Sequence, residues 1–485
     1  MMKIFFRILA VIILSYLILM IPLTSENPVR LISTEQPFEW KSDTLWKKLE
    51  TDFEHLHANH DTSTFTRLIN YQNQTDSLLQ VLIQNEKGLF SPAADSLLIS
   101  FFNYSILIPF QPAYTDSLYA RYKKIRIAVK EIQRLLPDDI NTKRSIYKLL
   151  YGTRAAMEEI ILQLPQKTDA LVIFDSGNED QSGINVHGLK IKSGDVLLSR
   201  GSASVSALIA RASNFPGNFS HVALLHINES NKNISVIESH IEKGVAIADS
   251  TAYFKDKKQR ILVLRKRTIN DNMVPHKAAS AMLEMLSKQN IPYDFSMDYN
   301  DADKMFCSEV ASYAYSTQGI KLWSVPSGIS HPGAVAWLNS FGVQNFSTQM
   351  PSDLEYDNEM MLIAEWYDRD LLWEDHVYNA AMDALYEQAK KGLSPEASCW
   401  LLPLARVLKG WSIIKNKMGN IGPIPEGMNA TTALKNMWLT ENHEDLVKHI
   451  KVSATEFQKS KGYLPPYWQL VKIANMHAAE KFSNK

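Results

Sequence analysis

Three side chains that lie far apart in this sequence are of the types a thiol hydrolase needs. Cys307 stands in Met305-Phe306-Cys307-Ser308-Glu309-Val310-Ala311, where a helical pattern begins after the polar stretch Asp298 to Lys304. A cysteine at a helix start meets unpaired N–H groups and partial positive charge, both of which favour thiolate over thiol. Asp301 or Asp303 is expected to cap that helix. His221 opens the apolar run His221-Val222-Ala223-Leu224-Leu225-His226 and is the imidazole expected to take the thiol proton and return it to a leaving group. Glu238, set among apolar residues in Val236-Ile237-Glu238-Ser239-His240, is costly to bury unless paired. Orienting an imidazole would supply that pairing, with His240 on the same strand face as the rival third member. His226 lies five positions after His221 and is expected on the opposite face.

The elements that must carry these residues are short. Asp195 to Arg200, His221 to Ile227, Ser235 to Ser239 and Arg260 to Arg267 are apolar segments bounded by turn formers and predict strands, with a short helix over Val205 to Ala212. Ahead of them the pattern is helical. Leu118, Tyr122, Ile125, Val129, Ile132 and Leu136 recur at three- and four-residue steps after Thr115-Asp116 and stop at Pro137. Leu45, Leu49, Phe53 and Leu56 form an earlier stripe, and Asp175 to Gly194 is a linker rich in Asp, Asn, Ser and Gly. From Tyr356 onward, Met360, Ile363 and Tyr367, then Val377, Ala381 and Leu385, predict helices again.

Ser193-Gly194-Asp195-Val196-Leu197, Ser220-His221-Val222, Ile237-Glu238-Ser239 with Gly244-Val245, Tyr293-Asp294 and Phe306-Cys307-Ser308-Glu309 resemble, in that order, the YiiX/YaeF-like permuted papain-fold hydrolases. These are relatives of the NlpC-type cell-wall peptidases in which histidine and its polar partner precede cysteine. The resemblance covers about residues 190 to 335. It implies an α+β fold, a permuted papain-like core with an antiparallel β-sheet or barrel, flanked by N- and C-terminal helical regions. It also implies Cys307 as nucleophile, His221 as general base and acid, and Glu238 as the orienting residue. Tyr293 and Asp294 match positions near the site and are assigned to pocket architecture, Glu309 to capping or packing.

The expected organisation is a signal peptide or membrane anchor over 1–25, a helical region over 40–170, the hydrolase domain over 185–345 and a helical region over 350–485. Lys3 and Arg7 precede an uncharged apolar run from Ile8 to Leu23, so the chain is expected to be exported to the cell envelope, with residues 4–23 either removed as a signal or kept as its anchor. With 51 basic and 52 acidic side chains there is no field to collect phosphate backbones, so nucleic acid is an unexpected partner. Two cysteines are too few for a disulfide framework, and a Cys307–Cys399 bridge would consume the nucleophile. No His or Cys pair has metal spacing, so neither metal nor cofactor is expected. The expected substrate is a peptide or amide. The alternatives are acyl transfer or lipid or thioester hydrolysis by the same triad, as in permuted relatives resembling lecithin:retinol acyltransferase, or a non-catalytic binding module.

Overall fold

The computed structural model describes residues 2–21, 36–38, 44–58, 64–85, 88–164, 171–175, 183–186, 188–255, 258–267 and 272–483. Helices α1 (Met2–Met20), α2 (Thr44–Ala58), α3 (Thr64–Gln84), α4 (Pro92–Ser105), α5 (Thr115–Gln133) and α6 (Ile140–Gln163) precede the sheet. The expected stripes are buried: Leu49, Phe53 and Leu56 from α2, and Leu118, Tyr122, Ile125 and Val129 from α5. Helix starts follow local chemistry. Ser91 caps α4 by accepting from Ala93 N–H at 3.3 Å, with Pro92 in the first turn, and Asp139 caps α6 through Asn141 and Thr142 N–H. Residues 92–110 are apolar enough to cross a membrane, but 67% of that span is buried within the protein, which makes α4 a core helix. The end of the N-terminal apolar run, residues 22–23, lies outside the described residues.

The chain then forms β1 (Leu171–Ile173), β2 (Ile184–Val186), β3 (Leu189–Ile191), β4 (Val196–Gly201), α7 (Ser204–Ala212), β5 (His221–Ile227), β6 (Ile234–His240), β7 (Gly244–Asp249), α8 (Ser250–Lys255) and β8 (Lys258–Lys266). There follow α9 (Val274–Lys288), α10 (Cys307–Ser316), β9 (Ser327–Gly328), α11 (Pro332–Ser340), β10 (Ser347–Thr348), β11 (Met360–Tyr367), α12 (Arg369–Lys390), α13 (Leu402–Lys417), α14 (Ala430–Lys461) and α15 (Tyr467–Phe482). A seven-stranded antiparallel sheet runs β1-β11-β8-β4-β5-β6-β7. It is an open sheet with β1 and β7 at its edges, which corrects the barrel alternative.

The helical reading from Tyr356 is also corrected. Met360 to Tyr367 form β11, paired on one side with β8 and on the other with β1. Residues from both sides of 185–345 therefore complete the sheet, and the region from 350 is not wholly helical. The joint is ionic as well as apolar. Arg154 on α6 bonds Glu355 through Nη1 and Nη2, both at 2.7 Å, and Glu365 of β11 through Nε at 2.6 Å. Arg126 on α5 also reaches Glu355, and Tyr122 donates to Glu365 at 2.8 Å. All four charged side chains are buried.

A candidate thiol hydrolase site at the start of β5

The register pairs Ala223 with Glu238, so strand alternation puts His221, Glu238 and His240 on one face of the sheet. Glu238 lies between two imidazoles: Oε2 is 2.7 Å from His221 Nε2, and Oε1 is 3.0 Å from His240 Nε2. The two rings lie 5.6 Å apart. With Nε2 committed to the carboxylate, Nδ1 is the ring nitrogen left for proton transfer. His226 faces the other way, as expected, with Nε2 3.2 Å from Ser280 Oγ on α9.

Cys307 is the first residue of α10 and is buried. Its Sγ lies 3.9 Å from the Ser220 carbonyl, and the Val222 N–H also points at it. The sulfur thus sits against the main chain on both sides of His221, and its hydrogen-bond acceptor is that carbonyl rather than the imidazole. The N–H groups of Cys307 and Ser308 at the helix start also bear on the sulfur. These donors do not make it a resting thiolate. Burial outweighs them and pushes the thiol up to about 11, which corrects the expectation of a helix-stabilised thiolate. Burial likewise lowers His221 below its ordinary 6.5, against the raising effect of Glu238. The resting pair is thiol and neutral imidazole. Glu238 stays a carboxylate, because its bonds to His221 and His240 outweigh its own burial.

The quoted motifs explain how Cys307 is held. Gly194 has φ +88°, and Tyr315 near the end of α10 donates to its carbonyl at 2.6 Å. Asp195 binds Arg265 of β8 by two bonds, at 2.7 and 2.8 Å. Ser239 Oγ donates to the Met305 carbonyl at 2.6 Å, and Met305 N–H donates to Pro292 at 3.0 Å, so β6 and the segment before Tyr293 fix the approach to the helix. Asp294 braces that loop by accepting from Ser296 and Asp298 N–H, and Tyr293 packs edge-on to Phe295 at 4.9 Å.

Gly244 permits the arrangement. It has φ +75°, and a Cβ there would lie 2.1 Å from the Ile291 carbonyl oxygen that Val245 N–H binds at 2.8 Å. Gly244→Ala is expected to displace residues 291–293 and with them Met305. Acylation of Cys307 should fall at least about tenfold and stability by about 1–3 kcal/mol. Denaturant melts and probe labelling of the same samples measure both.

At the helix start the capping expected of Glu309 is observed, and that expected of Asp301 or Asp303 is not. The N-cap is Phe306, and Glu309, not Asp301 or Asp303, supplies the side chain, accepting from Phe306 N–H at 2.8 Å. The Asp301 side chain serves its own turn instead, accepting from Asp303 N–H. Burial of Glu309, with the charges of Asp294, Asp298 and Asp301 nearby, raises its carboxyl to about 9 despite the Phe306 N–H. A carboxyl raised in the folded state contributes stability that is complete below its unfolded value and is lost as pH rises towards 9, at up to about 1.4 kcal/mol per pH unit. Glu309→Gln keeps the acceptor and removes the titration. Its melting temperature should overtake that of the natural protein on going from mildly acidic to mildly alkaline buffer.

Among the described residues no group of His, Cys, Asp and Glu is arranged to hold a metal. Cys307 and Cys399 are both free, the latter exposed. A cavity of about 660 Å³ lies elsewhere, among helices, lined by Trp46, Glu159, Arg211, His376, Asp383 and Tyr467, and contains none of the three expected site residues. His240, the rival third member in the sequence, binds the second oxygen of Glu238 rather than replacing it, as its even spacing from Glu238 allows.

A helix-borne cysteine seated at the mouth of an antiparallel sheet, after a strand-borne histidine–glutamate pair, is the arrangement of a permuted papain-like unit. Residues 190–330 match the family model described as permuted papain-like amidase enzyme, YaeF/YiiX, C92 family, and this part of the chain is a cysteine amidase/peptidase-type hydrolase unit. No curated protein and no solved structure matches the chain.

Proposed function

We propose that this protein is an exported, membrane-tethered amidase or peptidase that uses Cys307, His221 and Glu238 on a peptide or amide of the cell envelope. The observation that carries the reading is the short His221–Glu238 bond beside a helix-start cysteine that touches the main chain flanking His221. Cys307 turns from the Ser220 carbonyl toward His221 Nδ1 as substrate enters. The imidazole takes the thiol proton as sulfur bonds to the carbonyl carbon, and the charge that develops on oxygen meets the Cys307 N–H. The imidazolium, stabilised by Glu238, then gives its proton to the departing amine as the C–N bond breaks. Water, deprotonated by the same ring, releases the acyl group as a carboxylic acid and restores the thiol. Tethering is assigned to α1, on Lys3, Arg7 and the apolar run that follows them.

The full chain should release amines from envelope peptides or amides, and rapid quenching should trap an acyl adduct on Cys307 whose mass identifies the substrate. Absence of any adduct on Cys307 across peptides, amides and an envelope extract would overturn the reading. Acylation should rise with pH through a midpoint below 6.5, as His221 loses its proton, and then stay level through neutrality. In a Cys399→Ser background, the ultraviolet thiolate band should be absent at about pH 7 and appear only in strong alkali.

A further inference from the structure

Helix α13, together with Trp400 before its N-cap and Met418 at its C-cap, carries its apolar stripe on the wrong side for a core helix. Trp400, Leu404, Val407, Trp411, Ile414 and Met418, spaced by alternate steps of four and three, are between 51% and 70% exposed. The opposite side is the one that packs: Leu402 and Ala405 are buried in a small cluster with Ile424, Met428 and Leu434, and Ser412 Oγ accepts from Ile424 N–H at 2.9 Å. The charge around it is of one sign. Residues 397–425 contain Arg406, Lys409, Lys415 and Lys417 and no acidic residue. The apolar surface also continues onto another element. Tyr16 of α1 donates to the Trp400 carbonyl at 2.8 Å, and Arg406 donates to the Leu19 and Ile21 carbonyls at 2.8 and 2.7 Å, meeting the negative end of that helix with a cation. Beside this joint, Val11, Leu14, Leu17 and Ile18 of α1 are exposed.

We propose that α13 is an interfacial membrane-binding helix that lies along an anionic lipid surface, its Trp400–Met418 stripe in the acyl boundary and Lys415 and Lys417 among the headgroups. A basic helix with an unbroken apolar face, tryptophan on that face and a second apolar helix joined to its start fits a bilayer in both chemistry and charge. The placement bears on the hydrolase unit as well. The cluster that seats α13 also packs Ile241, which follows His240, and Phe295, which packs on Tyr293. The cluster thereby joins the seat of α13 to the segments that carry His240 and Tyr293.

Tryptophan quenching in vesicles tests this without removing α1. The full chain is reconstituted into phosphatidylcholine–phosphatidylglycerol vesicles with brominated acyl chains, and its emission is compared with that of a Trp400→Phe/Trp411→Phe variant. The difference isolates two of the ten tryptophans. This rests on the tethering proposed for α1, and co-flotation of both proteins with the vesicles checks it, so that quenching reads the depth of α13 and not mere attachment; failure of the natural protein to float would overturn both proposals. The expected result is that bromolipid removes more than half of the difference signal. An unquenched signal with a water-like maximum would overturn the proposal in favour of a solvated face, and an unquenched but blue-shifted signal in favour of a protein partner or second copy. Cys307 labelling in the same vesicles separates failure here from failure of the hydrolase reading.

Discussion

Cys307→Ala is expected to abolish turnover, and Glu238→Gln to lower it by about 10²-fold or more while leaving the fold intact. The glutamine result follows from the count of acceptors. Glu238 offers one oxygen to His221 at 2.7 Å and the other to His240 at 3.0 Å, so both imidazoles present a donor to it. An amide keeps one oxygen and turns an NH₂ toward the second ring, which must then change tautomer or move. Whichever ring it serves, the negative charge that would stabilise the His221 imidazolium is gone. His240→Ala, which removes only the ring that binds the far oxygen, should cost about tenfold or less, measured as kcat/KM on the amide substrate. A larger loss at His240 than at Glu238 would reverse the order of the two in the mechanism.

Arg154→Met should cost about 3–5 kcal/mol of stability in denaturant titrations, the largest effect expected of any single change outside the site. Arg154 makes three hydrogen bonds to the buried carboxylates of Glu355 and Glu365, and its loss leaves the two anions to Arg126 and the Tyr122 hydroxyl. Combining Arg154→Met with Glu355→Gln should cost less than the sum of the two, because the second change removes the charge that the first strands. Strictly additive losses would mean that the pair does not interact. This network ties α5 and α6 to β11, so the helical region and the sheet should unfold together.

The sequence made some of this legible and hid the rest for physical reasons. Strand alternation is local, and it was enough to set His221, Glu238 and His240 on one face with His226 on the other. The buried stripes of α2 and α5 were legible in the same way. β11 was not. Met360, Ile363 and Tyr367 fall at helical steps, but the strand lies inside the sheet and is apolar on both faces, so its near-continuous run carries no period that separates strand from helix. The partners of Arg126 and Arg154 lie about 200 residues away, and no spacing rule connects them. At Cys307 the helix start was correctly read, but the depth of burial that reverses the effect on the thiol is a tertiary property. The capping role of Glu309 is legible from its place in the first helical turn, whereas that of Asp301 or Asp303 is not borne out, because the loop before the helix turns Asp301 onto its own N–H groups.

The central claim is that His221 delivers and receives the proton of Cys307. The direct test is the rate at which an activated acyl probe modifies Cys307 in the full chain carrying Cys399→Ser, with and without His221→Ala, followed by intact mass at about pH 7. Here the alanine variant should be slower by about 10²–10⁴-fold and should recover part of that rate as pH rises toward the thiol value of about 11, where the sulfur ionises without help. Equal rates in the two proteins at neutral pH would contradict the account.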